Sequence, residues 1–428
     1  SIEELYSIYS RYPSVVTDTR KLNQGDLYFA LKGPNFNGNL FAIAALEAGA
    51  SYAIVDELIA NSDSYQDRII LVQDVLTTLQ QLAKYHRQQF DIPFIAITGS
   101  NGKTTTKELV YSVLASHFKT YTTQGNLNNH IGVPLTLLSI PKNAEMAVIE
   151  MGANHQKEIE SYCAYTLPTF GMITNCGKAH LEGFGGVVGV KNGKGELYDF
   201  LRAKNGTVFI MEDYDYLQSM SQGMPHLIGY GQHSGQIQGE AMDADGMLTV
   251  KINKGIDLDT IQTNLVGNYN LPNVLAAVTI GQYFKVPNEK IKAAIENYTP
   301  TNSRSQLVQW KNNEVILDAY NANPSSMKLA VENFVKLNKA NKVVCLGGMR
   351  ELGADTLMEH QMLIDQLKQN NWSEVLLVGS EFKNCNHNYQ YFDTVQDAKT
   401  WLDSKQFSSH TLLIKGSRGI QMEQMIAD

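Results

Sequence analysis

Cysteine is scarce in this 428-residue sequence, and long apolar runs are missing from it. The four cysteines, Cys163, Cys176, Cys345 and Cys385, lie far apart and form no C-x-x-C pair. This spacing argues against a structural zinc site and favours a reducing compartment. No apolar run approaches the ~18 residues that a membrane-spanning helix needs, and the opening stretch SIEELYSIYS lacks the positive region of a signal peptide. We therefore expect a cytoplasmic protein without a membrane span.

A strongly basic segment is also missing. The net charge of −8 is spread along the chain, with −3 over residues 1–90, −4 over 91–300 and −1 over 301–428. Because binding to a nucleic-acid backbone needs clustered lysine and arginine, we expect no nucleic-acid partner. The hydrophobic content of 43% and the charged content of 18% are typical of a globular protein.

Short apolar runs alternate with helical patterns along most of the chain. Those of the middle part are FIAIT, EMAVIEM, FGMIT and TVFIM, and those of the last part are EVILDAY, KVVCLGG, EVLLVG and HTLLIKG. This alternation predicts parallel sheets covered by helices. The first residues mix strand and helix signals, and the polar segment Tyr298–Gln306 is a candidate linker. We predict an α/β protein of three domains, at 1–90, 91–300 and 301–428, with a Rossmann-like fold in the last.

The stretch FIAITGSNGKTTTKELVYSVL resembles a phosphate-binding loop, although Ile97 stands where G-x-x-x-x-G-K-[ST] has its first glycine. A strand is predicted before the loop and a helix after it. Unpaired N–H groups and partial positive charge at a helix N-terminus favour a bound phosphate. Lys103 would reach the β- and γ-phosphates, and the hydroxyl of Thr104 would bind Mg²⁺. The alternative is an ordinary connection between a strand and a helix.

Three further residues stand near predicted strand ends. Ligands of open α/β sheets bind outside the carboxyl ends of the strands, so Glu150 at the end of EMAVIE is a candidate Mg²⁺ ligand. His180 follows the next strand, and Lys194 lies in a helix-like segment. Taken singly, each has an ordinary alternative: an acid at a strand end, a structural histidine and a solvated lysine.

Together these motifs resemble the Mur ligases, ATP-dependent enzymes that build the peptide of bacterial cell-wall precursors. TGSNGKTT, EMGANH, NCGKAHLEGFG and KGELY occur in that family's order, and LVGNYNLPNVLAAV and NSRSQ resemble its adenine and arginine motifs. LDAYNANPSSM, GNLNNHIGVPLTLL, GGMRELG and LIKGSRG resemble the branch that adds D-alanyl-D-alanine to UDP-N-acetylmuramoyl-tripeptide. VVTDTRKLNQGDLYFALKG resembles a UDP-binding domain. The resemblance implies an N-terminal UDP-muramoyl-peptide-binding domain, a central ATP-binding domain and a C-terminal ligase domain.

The resemblance also implies a nucleotide and metal site. Thr104 and Glu150 would bind one Mg²⁺, and His180 and Lys194 would serve a second, with Lys194 carbamylated by CO₂. Lys103 and the amides of Ser100 to Thr105 would hold the ATP phosphates. The implied cofactor-binding loop consists of Gly99, Ser100, Asn101, Gly102, Lys103, Thr104 and Thr105. The residues expected to take part in chemistry are Lys103, Glu150, His180, Lys194 and Arg304.

The remaining implied contacts involve the last part of the nucleotide and the peptide substrate. Arg304 would reach the γ-phosphate, Asn270 and Tyr320 would flank the adenine, and Asp318 would bind the ribose. The residues implied in substrate binding are Thr19, Arg20, Asn126, Asn128, Asn129, Asn321 and Asn323. For the three asparagines of GNLNN, the alternative is that they form a turn.

Two positions depart from the family pattern, and two other functions stay open. Tyr269 replaces the usual histidine of the adenine motif, and His130 replaces an acid or amide. A folylpolyglutamate synthetase would share the phosphate loop without the GNLNN or NANP signals. A nucleotide-dependent switch is the second alternative, although TNCGKAH supplies no N-K-x-D for guanine. The implied ligase passes through an acyl phosphate, and we expect it to be a monomer.

Overall fold

The computed structural model describes residues 1–242 and 246–428. The strands, numbered in chain order, are β1 (Val15–Val16), β2 (Leu27–Phe29), β3 (Lys32–Gly33), β4 (Phe36–Asn37), β5 (Tyr52–Val55), β6 (Ile69–Leu71), β7 (Phe94–Thr98), β8 (Thr120–Thr122), β9 (Met146–Glu150), β10 (Phe170–Ile173), β11 (Thr207–Met211), β12 (His226–Gly231), β13 (Ile237–Met242), β14 (Met247–Lys254), β15 (Thr260–Val266), β16 (Gln306–Trp310), β17 (Asn313–Asp318), β18 (Lys342–Gly347), β19 (Glu374–Val378), β20 (Gln390–Phe392) and β21 (Thr411–Lys415).

The α-helices alternate with these strands. They are α1 (Ile2–Arg11), α2 (Ala42–Glu47), α3 (Val75–Arg87), α4 (Lys103–Ala115), α5 (Gly132–Leu138), α6 (Glu158–Thr166), α7 (Leu181–Phe184), α8 (Val187–Ala203), α9 (Asp215–Met220), α10 (Leu271–Tyr283), α11 (Asn288–Asn297), α12 (Pro324–Lys336), α13 (Thr356–Lys368) and α14 (Val395–Lys405). Short 3₁₀ turns lie at Thr19–Lys21, Gly38–Phe41, Asp63–Arg68, Asn268–Asn270, Gly353–Asp355, Ser380–Phe382, Arg418–Ile420 and Met422–Ile426. The alternation confirms the predicted α/β class.

The chain forms two compact units. The first consists of Ser1–Ala96, Phe118–Gly152 and Glu158–Phe170, and the second of Ile97–His117, Ala153–Lys157 and Gly171–Asp428. The domain boundaries expected from the sequence, at 90 and 300, stay a prediction.

A four-stranded parallel sheet forms part of the first unit, in the order β1-β2-β5-β6. The alanines of α2 pack on it because small side chains allow a helix to approach a sheet closely. The Tyr28 hydroxyl crosses this layer and donates to the Gly38 carbonyl at 2.8 Å. The buried residues of this core are Tyr28, Ala30, Ala42, Ala45, Leu46, Ala50, Ala53 and Val55.

Helices α1 and α3 are joined to later parts of the first unit by buried polar contacts. The Tyr9 hydroxyl donates to the Leu138 carbonyl at 2.5 Å. The His86 imidazole lies between the Ile140 carbonyl, at 2.7 Å from Nε2, and the Tyr6 hydroxyl, at 3.0 Å from Nδ1. Because a carbonyl only accepts, Nε2 carries the proton of this imidazole. Strand β8 pairs in parallel with β9, the strand that ends at Glu150.

The second unit begins with parallel strands and continues as an antiparallel meander. Strands β11, β12 and β13 pair in parallel, whereas β13-β14 and β14-β15 are antiparallel. The sequence pattern indicates only parallel strands here. Only Gly255–Asp259 separate β14 from β15, and so short a connection cannot make the crossover that parallel pairing needs. Helix α10 is buried on nearly all sides and packs against α4, as its continuous apolar sequence requires.

A second sheet of this unit has the order β16-β17-β21-β18-β19-β20. A hairpin joins β16 to β17 through Lys311 and Asn312, both with positive φ, as two-residue hairpin turns require. The other pairings are parallel. One face is buried by Trp310, Val315, Leu317, Ala319, Val343, Cys345, Leu376, Val378, Val395, Ala398, Leu402, Leu412, Ile414, Met422 and Met425. Within the described residues, none of the helices combines the length and apolar character needed to cross a bilayer.

Candidate active site

The predicted phosphate loop joins β7 to α4, and its two glycines are required by geometry. Gly99 and Gly102 have φ of +148° and +80°. A Cβ on Gly99 would stand 1.8 Å from Thr174 Oγ1, and one on Gly102 would stand 2.9 Å from Asn273 Oδ1. The chain therefore turns tightly at both positions, and two other segments approach the turn closely. The absent glycine at position 97 has no place in this loop, because Ile97 is a buried residue of β7.

The loop after β10 fixes the conformation of the phosphate loop. The N–H groups of Ser100 and Asn101 donate to the Asn175 carbonyl and side-chain oxygens, each at 3.0 Å. Thr174 Oγ1 donates to the Asn101 carbonyl at 2.6 Å. In this structure these two amides hold the loop in shape, and the contact of the Ser100 to Thr105 amides with the ATP phosphates stays a prediction. The first turn of α4 follows the loop, and the first N–H groups of an α-helix have no acceptor within the helix itself.

Lys103 begins α4 and folds back over the loop. Its Nζ donates to the Gly99 carbonyl at 2.9 Å. The ammonium thus lies at the loop whose phosphate it is predicted to bind. A loop built from a strand, two obligatory glycines, a lysine and a helix N-terminus is suited to bind a polyphosphate.

Glu150 is the last residue of β9 in the first unit and is only 1% exposed. Its backbone N–H donates to Thr123 Oγ1, and its Oε1 accepts from Asn128 Nδ2, both at 2.9 Å. Asn128 thus orients Glu150, and its implied role in substrate binding stays a prediction. Asn129 supports the turn alternative, because its Oδ1 accepts from the N–H groups of Ile131 at 3.1 Å and Gly132 at 2.8 Å. Asn126 and His130 are exposed.

His180 has a left-handed backbone, with φ of 51°, and precedes α7. Its Nδ1 contacts Glu351 Oε2, and this hydrogen bond lowers the pKa of the Glu351 carboxyl. Lys194 lies on α8, is 1% exposed, and has its Nζ 5.2 Å from the centre of the Phe184 ring. Burial raises the pKa of the Cys176 thiol to about 11, opposed by the charges of Lys194 and Lys191. The structure therefore places His180 beside a carboxylate and Lys194 inside the fold.

Asp318, which is predicted to bind the ribose, lies in a cluster of polar contacts in the second unit. The Asp318 carboxylate accepts from Lys415 Nζ at 3.0 Å, from the Ser305 N–H at 3.3 Å and from the Tyr269 hydroxyl at 3.5 Å. Burial raises the pKa of the Tyr269 hydroxyl, so this hydroxyl acts as a neutral donor at the position where the family motif has histidine. The ribose contact of Asp318 stays a prediction.

Tyr320 lies among cations. The Arg304 guanidinium is 3.5 Å from the centre of the Tyr320 ring, and that of Arg418 is 4.4 Å from it. Stacking of guanidinium on an aromatic ring is favourable. Arg304 is thus held at Tyr320 in this structure, and its contact with a γ-phosphate stays a prediction. Asn270 is buried, with its Nδ2 donating to the Val266 carbonyl at 2.9 Å.

The asparagines of NANP have structural contacts of their own. Asn323 caps α12 by accepting from the Ser326 N–H at 2.9 Å. Its Nδ2 also donates to Asn101 Oδ1 of the phosphate loop at 2.7 Å, and Asn101 Nδ2 donates back at 3.4 Å. The Asn321 carbonyl accepts from Lys415 Nζ at 3.1 Å. These contacts bring the NANP segment to the phosphate loop.

Thr19 and Arg20 lie in the first unit, on a 3₁₀ turn capped by Asp18. The Arg20 side chain is 88% exposed and donates to Asp18 at 2.8–3.2 Å. These hydrogen bonds lower the pKa of the Asp18 carboxyl to about 2. An exposed guanidinium is available to an anionic ligand, so the substrate role of Arg20 stays a prediction.

Sequence reasoning missed several residues of the site. Thr174, Asn175 and Asn273 shape the phosphate loop, and Lys415 binds the Asp318 carboxylate. Asn273 donates to Asn270 Oδ1 at 3.0 Å and faces Gly102. The sequence did contain a signal for Asn273, which is the second asparagine of the motif N-x-x-N in NYNLPNV. Lys415 was contained in LIKGSRG. Nothing in the local pattern indicated that Asn175 would accept from two phosphate-loop amides.

The candidate metal ligands fit Mg²⁺ in part. Within the described ranges, the structure has no group of three or more His, Cys, Asp or Glu side chains placed to hold a metal ion. The hydroxyl of Thr104 and the buried carboxylate of Glu150 are oxygen donors of the kind Mg²⁺ prefers. His180 and an unmodified Lys194 supply nitrogen only, so a second Mg²⁺ fits only if Lys194 carries a carbamate oxygen.

Similarity to one protein family extends over most of the chain. The Mur ligase middle domain matches residues 97–281, and the glutamate ligase domain of Mur ligases matches residues 303–418. The chain belongs to the Mur ligase family.

Individual relatives come from one branch of that family. The UDP-N-acetylmuramoyl-tripeptide–D-alanyl-D-alanine ligase of Bacillus subtilis is 33% identical, over 97% of this chain and 92% of the relative. A crystal structure of MurF from Acinetobacter baumannii aligns with a TM-score of 0.88 and 31% identity, over 97% of this chain and 92% of that one. MurF from Thermotoga maritima, solved in complex with ADP, aligns with a TM-score of 0.86 and 25% identity over 96% of both chains.

Proposed function

We propose that this chain is an ATP-dependent amide ligase that joins D-alanyl-D-alanine to UDP-N-acetylmuramoyl-tripeptide in peptidoglycan precursor synthesis. The observation that carries this proposal is the phosphate loop, in which two obligatory glycines face Thr174 and Asn273. The likeness to ligases of this name extends over 97% of the chain, far beyond the loop alone. The folylpolyglutamate alternative shares the loop but not the GNLNN and NANP segments.

The reaction needs an activated carboxylate, because oxide is a poor leaving group. The γ-phosphoryl group of ATP passes to the terminal carboxylate of the tripeptide, which breaks the bond to ADP and forms an acyl phosphate. The amine of D-alanyl-D-alanine attacks the acyl carbon. A tetrahedral intermediate then loses a proton and inorganic phosphate to leave the amide.

The first step brings two anions together, and the chain supplies fixed cations to offset their repulsion. Lys103, whose Nζ lies on the Gly99 carbonyl, is placed to bind the phosphates. Arg304 leaves the Tyr320 ring for the γ-phosphate in this proposal. Fixed charges that stabilise a transition state contribute about 10²–10³ in rate each.

The proposed Mg²⁺ would be held by Thr104 and Glu150, with Asn128 orienting the carboxylate through its 2.9 Å hydrogen bond. Bound Mg²⁺ polarises the phosphoryl oxygens and neutralises their charge. Lys194 is buried, and burial disfavours a charged ammonium. The carbamate that we propose at this position is an anion, so its burial also has a cost, which the second metal ion would offset. His180 and the carbamate would serve the second ion.

The remaining substrate contacts are assigned by the resemblance. Thr19 and Arg20 would contact the UDP-peptide in the first unit, and Asn321 and Asn323 would lie near the reacting groups.

We further propose a cytoplasmic location and a monomer. The mass of the chain in size-exclusion chromatography with light scattering tests the monomer.

The decisive experiment follows phosphate release from ATP and Mg²⁺ with UDP-N-acetylmuramoyl-tripeptide, with and without D-alanyl-D-alanine. We expect release only when both substrates are present, together with a UDP-linked pentapeptide identified by its mass. Tripeptides carrying diaminopimelate or lysine at the third position are compared in parallel.

The other outcomes are separable. Phosphate release with the tripeptide and another amine would keep the amide-ligase chemistry and change the amine. No response to any UDP-muramoyl peptide, together with phosphate release when a folate and glutamate are supplied, would replace the proposal by the folylpolyglutamate alternative.

A further inference from the structure

Lys178 makes an ion pair that the proposed mechanism does not use. Its Nζ lies 2.8 Å from Glu359 Oε1, on α13, in the second unit. The Lys178 side chain is 40% exposed, whereas that of Glu359 is 5% exposed. A carboxylate so deeply buried is costly without its partner, so this pair differs from ordinary surface ion pairs.

The same short loop makes further contacts with the start of α12. The Lys178 N–H donates to Ser325 Oγ at 2.8 Å. A Cβ on Gly177 would stand 2.6 Å from that same Oγ, so the backbone approaches Ser325 closely. The segment Asn175–His180, called here the 175–180 loop, is therefore held at α12 through its backbone and at α13 through Lys178.

The other end of the 175–180 loop shapes the phosphate loop. Asn175 accepts from the N–H groups of Ser100 and Asn101, and the Gly177 N–H donates to Ser100 Oγ at 2.9 Å. A continuous chain of contacts thus runs from Glu359 through Lys178 and Asn175 to the phosphate loop. A shift of the 175–180 loop would move the acceptors that set the direction of the Ser100 and Asn101 amides.

We propose that Lys178 and Glu359 are positioning residues for nucleotide binding. Their ion pair keeps the 175–180 loop on α13, and the loop keeps the phosphate loop in its binding conformation. The inference rests on the proposed function only in taking the phosphate loop as an ATP site. Neither residue touches the nucleotide in this proposal. Loss of the ion pair should therefore change the affinity for the nucleotide rather than the rate of the chemical step.

The test compares four variants by their ADP affinity, measured calorimetrically with Mg²⁺, and by thermal unfolding. The variants are Lys178→Met, Lys178→Arg, Glu359→Gln and the double variant Lys178→Met/Glu359→Gln. Lys311→Ala is the matched control, since Lys311 pairs with Asp403 at the same 2.8 Å but on the surface. Coupled networks change binding by about 2–30-fold, and we expect about a tenfold weaker ADP affinity for Lys178→Met.

The pattern across the variants separates positioning from simple stabilisation. Lys178→Arg keeps the cation and is expected to restore most of the affinity. Glu359→Gln removes the charge and is expected to weaken affinity like Lys178→Met, and the double variant is expected to be no weaker than either single one. In assays of phosphate release, KM for ATP rises by the same factor while kcat changes less.

Wild-type ADP affinity in folded Lys178→Met would overturn the inference, and so would losses that add in the double variant. A lowered unfolding temperature with unchanged affinity would assign the pair to stability alone. If Glu359→Gln does not fold, the comparison of Lys178→Met with Lys178→Arg still decides. Because ADP affinity does not depend on ligation, failure of the ligase assay in the wild-type protein would be recognised separately.

Discussion

At the scale of single residues, Gly99 is the most constrained position of the phosphate loop. Its φ of +148° is strained for a residue with a side chain. In addition, an added Cβ would stand only 1.8 Å from Thr174 Oγ1 and would clash with it. Gly99→Ala should displace Thr174 from the Asn101 carbonyl and destabilise the protein by about 1–3 kcal/mol. Nucleotide affinity, measured by calorimetry, should fall with it.

Gly33→Ala is the control for this substitution, because a Cβ there meets nothing within 4 Å. Its unfolding temperature and ADP affinity should stay at wild-type values. A folded Gly99→Ala protein with unchanged affinity for ADP would contradict the view that the loop binds phosphate in this conformation.

Lys194 is the residue that we predict to be carbamylated. Lys194→Ala should reduce ligation by at least about 10²–10³-fold, and added short carboxylates should restore part of the activity by replacing the carbamate oxygens. Lys204 is an exposed lysine just after α8, and the control variant Lys204→Ala should remain fully active. Near-normal ligation by Lys194→Ala, measured as phosphate release, would remove the carbamate from the mechanism.

At the scale of secondary-structure elements, Asn323 has two separable tasks. It caps α12 through Oδ1 and donates to Asn101 through Nδ2. Asn323→Ala should lose about 1 kcal/mol of stability with the cap and should weaken ADP binding. Asn323→Asp keeps the cap, loses the donor and adds a negative charge at the phosphate loop, so its unfolding temperature should stay near the wild-type value while ADP binding weakens. Equal affinities for the wild type and both variants would show that the Asn101 contact has no part in binding.

Helix α3 contains a buried histidine that makes the stability of the first unit depend on pH. Burial lowers the pKa of His86 below its ordinary 6.5. The unfolded chain therefore takes up a proton on His86 before the folded chain does, so this contribution to stability is complete above about pH 6.5 and decreases below it. His86→Gln keeps both neutral hydrogen bonds in reach and should flatten the fall of the unfolding temperature between pH 7 and 5. Parallel pH curves for the two proteins would contradict this assignment.

At the scale of the whole molecule, nucleotide binding should stabilise the folded chain. ADP with Mg²⁺ at 100 times its dissociation constant should add about 2.7 kcal/mol, seen as a higher unfolding temperature. Lys103→Ala should lose most of this shift, because its ammonium lies at the phosphate loop. The same shift in the variant and the wild type would place the nucleotide elsewhere.

The spacing of apolar residues predicted many strands and helices correctly, because the two kinds of element have different apolar periods. FIAIT became β7 and TVFIM became β11 without change. Helix α2 ends at Glu47, just before Gly49, whose φ is +111°. The antiparallel meander of β13, β14 and β15 was missed, because strand direction depends on connections rather than on the strands themselves.

For the site, as for the fold, some features could be predicted from the sequence and others could not. Motif spacing identified Lys103 and the two glycines, because phosphate binding imposes a local backbone geometry that only certain residues allow. The NANP segment was identified by the resemblance to the Mur ligases. The roles of Asn128, Asn129 and Asn323 could not be derived locally, since an asparagine can cap a helix, close a turn or contact a ligand with the same amide.

The sequence by itself determined the α/β class, the phosphate loop and the resemblance to the Mur ligases, because each depends on residues adjacent in the chain. Only the tertiary structure decided that Asn175 holds the phosphate-loop amides, that Asn128 orients Glu150 and that Glu359 reaches Lys178. Those contacts join residues 22 to 181 positions apart. Their partners are selected by packing and by the cost of leaving buried polar groups unsatisfied, and neither acts before the chain has folded.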